Sequence, residues 1–207
     1  MTYLYLIRHA RSTWNAEGRM QGWADPPLDE LGRTQARALA ERLKSEPITA
    51  VYSSPLARAR ETAEAIAAQH RLTVKYDDRL KERNLGDWTG LTGSEADDRS
   101  PELRSNGRDW RIDGPPGGET QAELTARAAA AFADILTAHP DESRRVAVVS
   151  HGGTLSALMA HLFKTPIGSP VHFAADNTSI ARVRAKDGHV HLLGWGDDRH
   201  LQAMRDL

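Results

Sequence analysis

Three short apolar segments of this 207-residue sequence run directly into residues that can do chemistry. The residues that follow the three segments are Arg8-His9, Ser53-Ser54-Pro55 with Arg58 close behind, and Ser150-His151-Gly152-Gly153. If the segments are parallel strands, all three ends lie at the carboxyl edge of one sheet. Open α/β sheets bind their ligands at that edge. The pattern therefore predicts that two histidines and two arginines meet in one site.

Such a set of side chains forms a site for an anion. Arginine guanidinium groups match phosphate oxygens bidentately, and a helix that starts at Gly152 adds backbone N–H donors. Neighbouring cations lower the pKa of an imidazole, which keeps one ring nitrogen free to act as a nucleophile. We therefore predict that His9 attacks phosphorus in line while the arginines neutralise the equatorial oxygens.

The elements that must position these residues alternate between apolar runs and helical patterns. Strands are predicted at 3–7, 48–52, near Val74, 145–149, 179–184 and 189–193. Asp187-Gly188 separates the last two strands, which indicates a hairpin, so one late strand is expected to be antiparallel. The alternation predicts an α/β fold: a three-layer α/β/α sandwich with a mostly parallel central sheet and one antiparallel strand.

Four helices are predicted between the strands from capping residues and apolar spacing. Asp29 is expected to cap the first helix. Ser54-Pro55 supplies a cap and a first-turn proline for the second. Thr120 to Glu123 has the pattern of a capping box for the third, and the fourth opens at Gly152.

The polar stretch 84–118 departs from this alternation. It contains Trp88 and Trp110 and ends in Gly114-Pro115-Pro116-Gly117-Gly118. We interpret it as a small excursion over the active site, with some helix of its own, within a single domain that spans 1–207. We expect this excursion to set specificity, with the two tryptophans as candidate walls of the pocket.

Composition excludes several classes of protein. Lys and Arg number 27 against 28 Asp and Glu, so no net positive field favours nucleic acid or an anionic membrane as partner. The sequence has no cysteine, which excludes a disulfide framework, a thiolate nucleophile and a cysteine-ligated metal. The apolar N-terminal run is too short and too early charged for a signal peptide or a transmembrane helix. We expect a cytoplasmic protein.

A series of collinear motifs spans most of the chain. In order they are Leu6-Ile7-Arg8-His9-Ala10-Arg11-Ser12-Thr13-Trp14-Asn15, Gln21-Gly22, Pro27-Leu28-Asp29-Glu30-Leu31-Gly32, the stretch 53–63, Leu80-Lys81-Glu82, Gly86-Asp87-Trp88-Thr89-Gly90, Gly118-Glu119-Thr120 and Ser150-His151-Gly152-Gly153. This series resembles the histidine phosphatase superfamily, which includes the cofactor-dependent phosphoglycerate mutases. The family's usual glycine after the nucleophile is Ala10 here.

The resemblance implies a role for each catalytic candidate. His9 takes the position of the phosphate acceptor, and Glu82 that of the proton donor to the leaving oxygen. Arg8, Arg58 and His151 take the positions of the phosphate clamp. These roles agree with the chemistry, because expelling an alkoxide at neutral pH needs an acid, and the same carboxylate can then activate water.

The resemblance also implies a binding pocket around this centre. Asn15 would donate a further hydrogen bond to the phosphate, and Gln21, Gly22 and Gly152 would line the pocket. We expect no metal and no cofactor, because the arginines and histidines already supply positive charge. The expected partner is a small phosphorylated metabolite or inorganic phosphate, and a homodimer is left open. The remaining histidines assigned to surface or structure are His70, His139, His161, His172 and His200.

Three functions share this predicted phosphate pocket. The favoured one is a phosphatase of small phosphorylated metabolites, because the segment 116–120 resembles the phosphatase branch and 91–116 lacks the mutases' long insertion with paired arginines. Arg83, directly after Glu82, instead resembles the mutases, so a cofactor-dependent phosphoglycerate mutase is the alternative. A catalytically silent phospholigand-binding module is the third, although neither the nucleophile nor an arginine is lost.

Overall fold

A computed structural model describes residues 1–140, 144–169 and 171–202. Its strands are β1 (Thr2–Arg8), β2 (Ile48–Ser53), β3 (Val74–Tyr76), β4 (Arg145–Ser150), β5 (Ile180–Lys186) and β6 (His189–Asp197). Its α-helices are α1 (Thr13–Ala16), α2 (Glu30–Leu43), α3 (Ala57–His70), α4 (Gly93–Ser105), α5 (Trp110–Asp113), α6 (Gln121–Ala138) and α7 (Gly152–Leu162). Short 3-10 turns lie at Asp78–Leu80, Gly86–Trp88 and Arg199–Leu201.

The strands form a single mixed sheet in the order β3-β2-β4-β1-β5-β6. Strands β1, β2, β3 and β4 all run in the same direction, through the parallel pairs β1 with β4, β4 with β2, and β2 with β3. Strand β5 pairs antiparallel with both β1 and β6, so among the described strands it alone runs in the opposite direction. The predicted α/β fold with a mostly parallel sheet and one antiparallel strand is confirmed.

Alternate residues of β1 enter two different cores, one on each face of the sheet. Leu4 and Leu6 pack in a cluster with residues of α6 and α7. Tyr5 and Ile7 pack in a second cluster with residues of α2 and α3. A central parallel strand covered on both faces has to be apolar throughout, which is why its sequence is an uninterrupted hydrophobic run. Full burial of each such side chain contributes about 1.5–3 kcal/mol.

The predicted helix starts are confirmed at Asp29, Thr120 and Gly152 and wrong at the fourth position, Ser54. The Asp29 carboxylate accepts a hydrogen bond from the Gly32 backbone N–H at 2.7 Å at the start of α2. The capping box of Thr120 and Glu123 is formed at the start of α6. Helix α3 instead begins at Ala57, whose N–H donates to the Asp25 carboxylate at 2.6 Å. The Ser54 hydroxyl lies ahead of the helix, where it accepts from the Leu56 N–H at 3.3 Å and lies 2.8 Å from the Nε2 atom of His151.

The 84–118 excursion contains helix, as expected, and its two ends are joined at the base. The Glu119 N–H donates to the Asn84 carbonyl at 2.9 Å, and the Asp87 N–H donates to the Pro116 carbonyl at 3.0 Å. These bonds hold the start and the end of the excursion side by side. The assignment of 1–207 to a single domain stays a prediction.

Gly86 allows this close approach of the two ends. Its φ is +48°, and an added Cβ would lie 2.2 Å from the Pro116 carbonyl oxygen. Gly107 also has a positive φ, of +70°, but no atom lies within 4 Å of its added Cβ. A comparison of substitutions at Gly86 and Gly107 therefore distinguishes the cost of a positive φ from the cost of steric crowding.

We predict that Gly107→Ala lowers the free energy of unfolding by about 1 kcal/mol, the cost of a positive φ at alanine. Gly86→Ala is expected to cost about 1–3 kcal/mol more, because the backbone at Pro116 must move. Urea denaturation of both variants measures the difference. Equal losses would show that the base of the excursion is not tightly packed.

Candidate active site

The three predicted strand ends meet at one edge of the sheet. Arg8 at the end of β1 pairs with Ser150 at the end of β4, and the His9 N–H donates to the Ser150 carbonyl at 2.9 Å. The ring centroids of His9 and His151 are 5.0 Å apart. Arg58 lies in the first turn of α3, directly after β2. The sheet therefore brings together the two histidines and two arginines that the sequence singled out.

The His9 ring is held in one tautomer by the backbone. Its Nδ1 atom lies 2.7 Å from the Ala10 carbonyl oxygen. A carbonyl only accepts hydrogen bonds, so Nδ1 carries the proton and Nε2 keeps its lone pair. The side chain is buried, with 3% of its surface exposed, and lines the main cavity. This arrangement presents a neutral, nucleophilic nitrogen.

The two arginines use their terminal nitrogens to bind backbone carbonyls. Arg8 donates through Nη1 to Ala175 at 2.6 Å. Arg58 donates through Nη1 to Ala24 at 2.8 Å and through Nη2 to Gly22 at 2.9 Å. Their orientation is therefore fixed by the loops that surround the strand ends.

Three buried side-chain nitrogens that follow the strand ends have no hydrogen-bond partner within the described residues. They are the Nε atoms of Arg8 and Arg58 and the Nδ1 atom of His151. Buried polar groups are normally paired, since an unpaired one costs about 1–3 kcal/mol. The donors that remain are suited to the oxygens of an anion beside the His9 ring.

Burial is the main cause of the lowered pKa values in this site. The pKa of His9 is held well below its ordinary value first by burial and then by the charges of Arg58 and Arg8. The pKa of His151 is lowered in the same way. The sequence predicts the lowered histidine pKa from the neighbouring cations alone. The direction of the shift is right, but burial is the larger cause. Burial also lowers the pKa of Arg58 to about 10.

Glu82 is placed beside the start of α7. Its Oε1 accepts from the Arg83 N–H at 2.8 Å, and its Oε2 accepts from the Gly153 N–H at 3.1 Å. Its backbone carbonyl accepts from the Trp23 indole N–H at 2.7 Å. The carboxyl group lines the same cavity as His9, so it faces the site while being held by backbone donors.

Most of the predicted binding residues line the cavity, whereas two of them, His151 and Gly152, do not. Asn15, Gln21 and Gly22 all line it. The Ser12 backbone N–H donates to the Asn15 side-chain oxygen at 3.1 Å, and the Ser12 hydroxyl donates to that of Gln21 at 2.7 Å, so each amide keeps its NH₂ group as a donor. Gly152 lies behind the site, where its added Cβ would be 3.5 Å from Nε of Arg8.

The cavity has a volume of about 1030 Å³ and extends well beyond the phosphate centre. Sequence reasoning missed several of its lining side chains, among them Arg83, Arg111, Lys164, His161 and His172. Both histidines in this set, His161 and His172, are among those that the sequence assigns to surface or structure. Trp110 lines the cavity, whereas Trp88 is buried behind it with the two ring centroids 5.3 Å apart.

The residues that the structure describes contain neither a metal-binding cluster nor a membrane-spanning helix. No group of three or more His, Cys, Asp or Glu side chains there is arranged to hold a metal ion. No helix in that part of the chain has the length and apolar character needed to cross a membrane.

A mostly parallel sheet with histidines and arginines after its strand ends defines the class of this molecule as an α/β protein. A family model of the histidine phosphatase superfamily (branch 1) matches residues 4–198. The chain therefore belongs to the histidine phosphatase superfamily, as the sequence motifs indicated.

Individual relatives carry two kinds of name. Glucosyl-3-phosphoglycerate phosphatase of Mycobacterium tuberculosis is 38% identical over 172 residues, which cover 80% of this chain and 77% of that protein. A probable phosphoglycerate mutase GpmB of Salmonella choleraesuis is 36% identical over 213 residues, covering 98% and 96%. The solved structure of a mycobacterial glucosyl-3-phosphoglycerate phosphatase in complex with VO3 has a TM-score of 0.84 at 35% identity, covering 94% of this chain and 98% of that one.

The lowered pKa values of His9 and His151 predict a pH-dependent stability. The unfolded chain binds protons on these rings near pH 6.5, and the folded chain does so only at lower pH. The free energy of unfolding is therefore highest above pH 6.5 and falls as the pH drops from 6.5 towards the folded pKa values. His139 and His200, whose pKa values are also lowered by burial, add to the same trend.

We predict that His9→Asn and His151→Asn each reduce this slope by up to about 1.4 kcal/mol per pH unit. Urea denaturation between pH 7 and 5 measures it. Variants with the slope of the wild-type protein would show that the two rings are already protonated in the folded state.

Proposed function

We propose that this protein is a phosphomonoester hydrolase that acts on small phosphorylated metabolites through a phosphohistidine intermediate on His9. One observation carries the proposal: His9, with a free Nε2, lines the same cavity as Arg8 and Arg58, and the Nε atoms of both arginines are buried donors with no partner in the described protein. A nucleophile surrounded by such donors is complementary to a phosphoryl group.

The first step is phosphoryl transfer to the enzyme. Nε2 of His9 attacks phosphorus, the N–P bond forms, and the bond from phosphorus to the ester oxygen breaks. Glu82 gives its proton to the departing oxygen, so an alcohol leaves instead of an alkoxide. Arg8, Arg58 and His151 stabilise the charge on the equatorial oxygens, and Asn15 adds a donor. The Ala10 carbonyl, which accepts the Nδ1–H at 2.7 Å, stabilises the ring as it becomes positive.

The second step returns the enzyme to its starting state. The carboxylate of Glu82 takes a proton from water as the water oxygen attacks phosphorus. The P–N bond breaks, its electrons return to Nε2 of His9, and inorganic phosphate leaves. Atoms and charges balance over the two steps, because the proton that Glu82 lost is restored.

We infer that this enzyme is a histidine acid-type phosphatase that needs no metal ion. Two guanidinium groups supply the positive charge that a divalent cation supplies in many phosphatases, and the neutral ring of His151 adds a polar contact beside them. Asn15, Gln21 and Gly22 complete the phosphate side of the pocket. Gly152 begins α7 beside Arg8, where an added Cβ would lie 3.5 Å from the Nε atom. The homodimer and the cytoplasmic location stay predictions.

The substrate class follows from the cavity and from the relatives. A volume of about 1030 Å³ leaves room for an organic group of metabolite size next to the phosphate. The relative with a phosphatase name acts, by that name, on glucosyl-3-phosphoglycerate. We extend to this chain only the class, a small phosphorylated metabolite.

The mutase alternative is disfavoured by the contacts of Arg83. Its Nε donates to the Glu119 carbonyl at 2.7 Å, and its terminal nitrogens donate to the carbonyls of Arg111 at 2.9 Å and Trp110 at 3.2 Å. Three of its five N–H groups thus hold α5 against the start of α6. Arg83 is therefore a structural tie for the excursion, and this weakens the one feature that resembled the mutases.

We predict that the purified protein hydrolyses p-nitrophenyl phosphate in the presence of EDTA and that His9→Ala abolishes this activity. Rapid quenching during turnover is expected to trap a phosphoenzyme that is stable in base and labile in acid, as a phosphorylated ring nitrogen is. His189→Ala is the matched control, because His189 is an exposed histidine on β6. Its activity should equal that of the wild-type protein.

Each alternative outcome points elsewhere. Activity lost with EDTA, or retained by His9→Ala, would refute the mechanism. Interconversion of 3- and 2-phosphoglycerate stimulated by 2,3-bisphosphoglycerate, faster than hydrolysis, would identify a mutase. Phosphate-dependent ligand binding without turnover of any phosphomonoester would identify a binding module.

A further inference from the structure

The guanidinium group of Arg127, on α6, uses all of its N–H groups. Nε and Nη2 donate to the two carboxylate oxygens of Glu119 at 2.6 and 2.8 Å. Nη1 donates to the carbonyls of Arg79 and Lys81 at 2.8 and 2.7 Å, and Nη2 donates to the carbonyl of Glu82 at 2.8 Å. A guanidinium has five N–H groups, so none remains for any other partner. Three of these five bonds hold the backbone that ends at Glu82.

The pair formed by Arg127 and Glu119 is shielded from water. The side chains are 17% and 12% exposed, so their bidentate contact is weakened little by solvent or salt. The Asn84 N–H also donates to Glu119, at 3.2 Å. The pair thus fixes segment 79–82 to the start of α6 and to the base of the 84–118 excursion.

The side chain of Glu82 is held from the opposite direction. Its carboxyl oxygens accept from the backbone N–H groups of Arg83 and Gly153. With its backbone held by Arg127 and its carboxyl by α7, Glu82 has one reproducible position relative to the His9 ring. Proton transfer to a leaving oxygen needs such a position within hydrogen-bond reach.

We propose that Arg127 is a positioning residue for the reaction and that it acts through Glu82. It does not line the cavity and does not touch the substrate. It fixes the backbone of residues 79–82 so that the Glu82 carboxyl meets the leaving oxygen. The inference rests on the proposed function, because Glu82 is the proton donor of that mechanism.

A comparison of two esters tests this role. The p-nitrophenolate ion leaves without a proton, whereas the alkoxide of glycerol 2-phosphate needs one. The measured quantity is kcat/KM for each ester, because it reports steps up to the release of the alcohol and excludes hydrolysis of the phosphoenzyme. The ratio of the two values does not depend on the folded fraction of a sample, so partial unfolding cannot imitate the result.

For Arg127→Met we expect kcat/KM with glycerol 2-phosphate to fall on the order of 10²-fold, with a much smaller change for p-nitrophenyl phosphate. Inhibition by inorganic phosphate should be unchanged, because the Arg8 and Arg58 clamp is intact. Arg127→Lys, with three N–H groups at most, should rescue the ratio only partly. Arg79→Met is the matched control, since Arg79 lies on the same segment and its side chain binds Asp77 and Asp134.

Gly153→Ala provides a direct comparison. Its added Cβ would lie 2.5 Å from Oε1 of Glu82, so the carboxyl must move while the backbone of 79–82 stays in place. We expect the same selective loss with the alkyl ester. If Arg127→Met does not fold, Glu119→Gln weakens the same clamp, because Arg127 then faces a neutral amide instead of a carboxylate, and a smaller change in the same ratio is expected.

The outcomes separate this inference from the proposed function. Arg127→Met or Glu119→Gln with an unchanged ratio, or with equal losses for both esters, overturns the positioning role while hydrolysis by the wild-type protein stands. Weaker inhibition by phosphate would also overturn it, because Arg127 would then support the phosphate clamp. A wild-type protein that hydrolyses neither ester overturns both proposals.

Discussion

The structure depends on positive charge that is buried before a substrate arrives. Arg58 has no exposed surface, and burying a cation is costly unless it is paired. Carbonyl groups of Gly22, Ala24 and Ala175 offset part of that cost for Arg58 and Arg8, and in doing so they fix the loops around the strand ends. A phosphoryl group offsets the rest. The packed sheet therefore supplies the free energy that keeps the site complementary to a phosphate dianion.

Much of this centre could be predicted from the sequence because its signals are local. A parallel strand buried on both faces is an apolar run, and the residue after the run lies at the sheet edge where ligands bind. That rule places His9, Arg58 and His151 together without any knowledge of the packing. The fold class followed from the same runs, and the hairpin at Asp187-Gly188 from its turn residues.

The outer part of the cavity could not be predicted because it depends on contacts between distant segments. An added Cβ on Gly168 would lie 3.1 Å from the Ile112 side chain, so the excursion and the turn after α7 approach each other across the cavity. The spacing of apolar residues in these two segments does not predict that contact. The start of α3 is mispredicted for the same reason, since the first N–H of that helix, from Ala57, binds the carboxylate of Asp25, 32 positions earlier in the chain.

The same electrostatics that favour attack by His9 also limit how long the phosphoenzyme lasts. In the proposed mechanism, phosphorylation makes the buried imidazole ring positive, and the Ala10 carbonyl offsets part of the cost while Arg8 and Arg58 bind the phosphoryl oxygens. Loss of the P–N bond restores a neutral ring, so burial of the ring favours departure of the proposed nucleophile. A mutase must oppose this tendency by excluding water until its second substrate binds. Among the described residues, the cavity of about 1030 Å³ leaves room for water beside a bound phosphate, which supports the transfer to water that we propose.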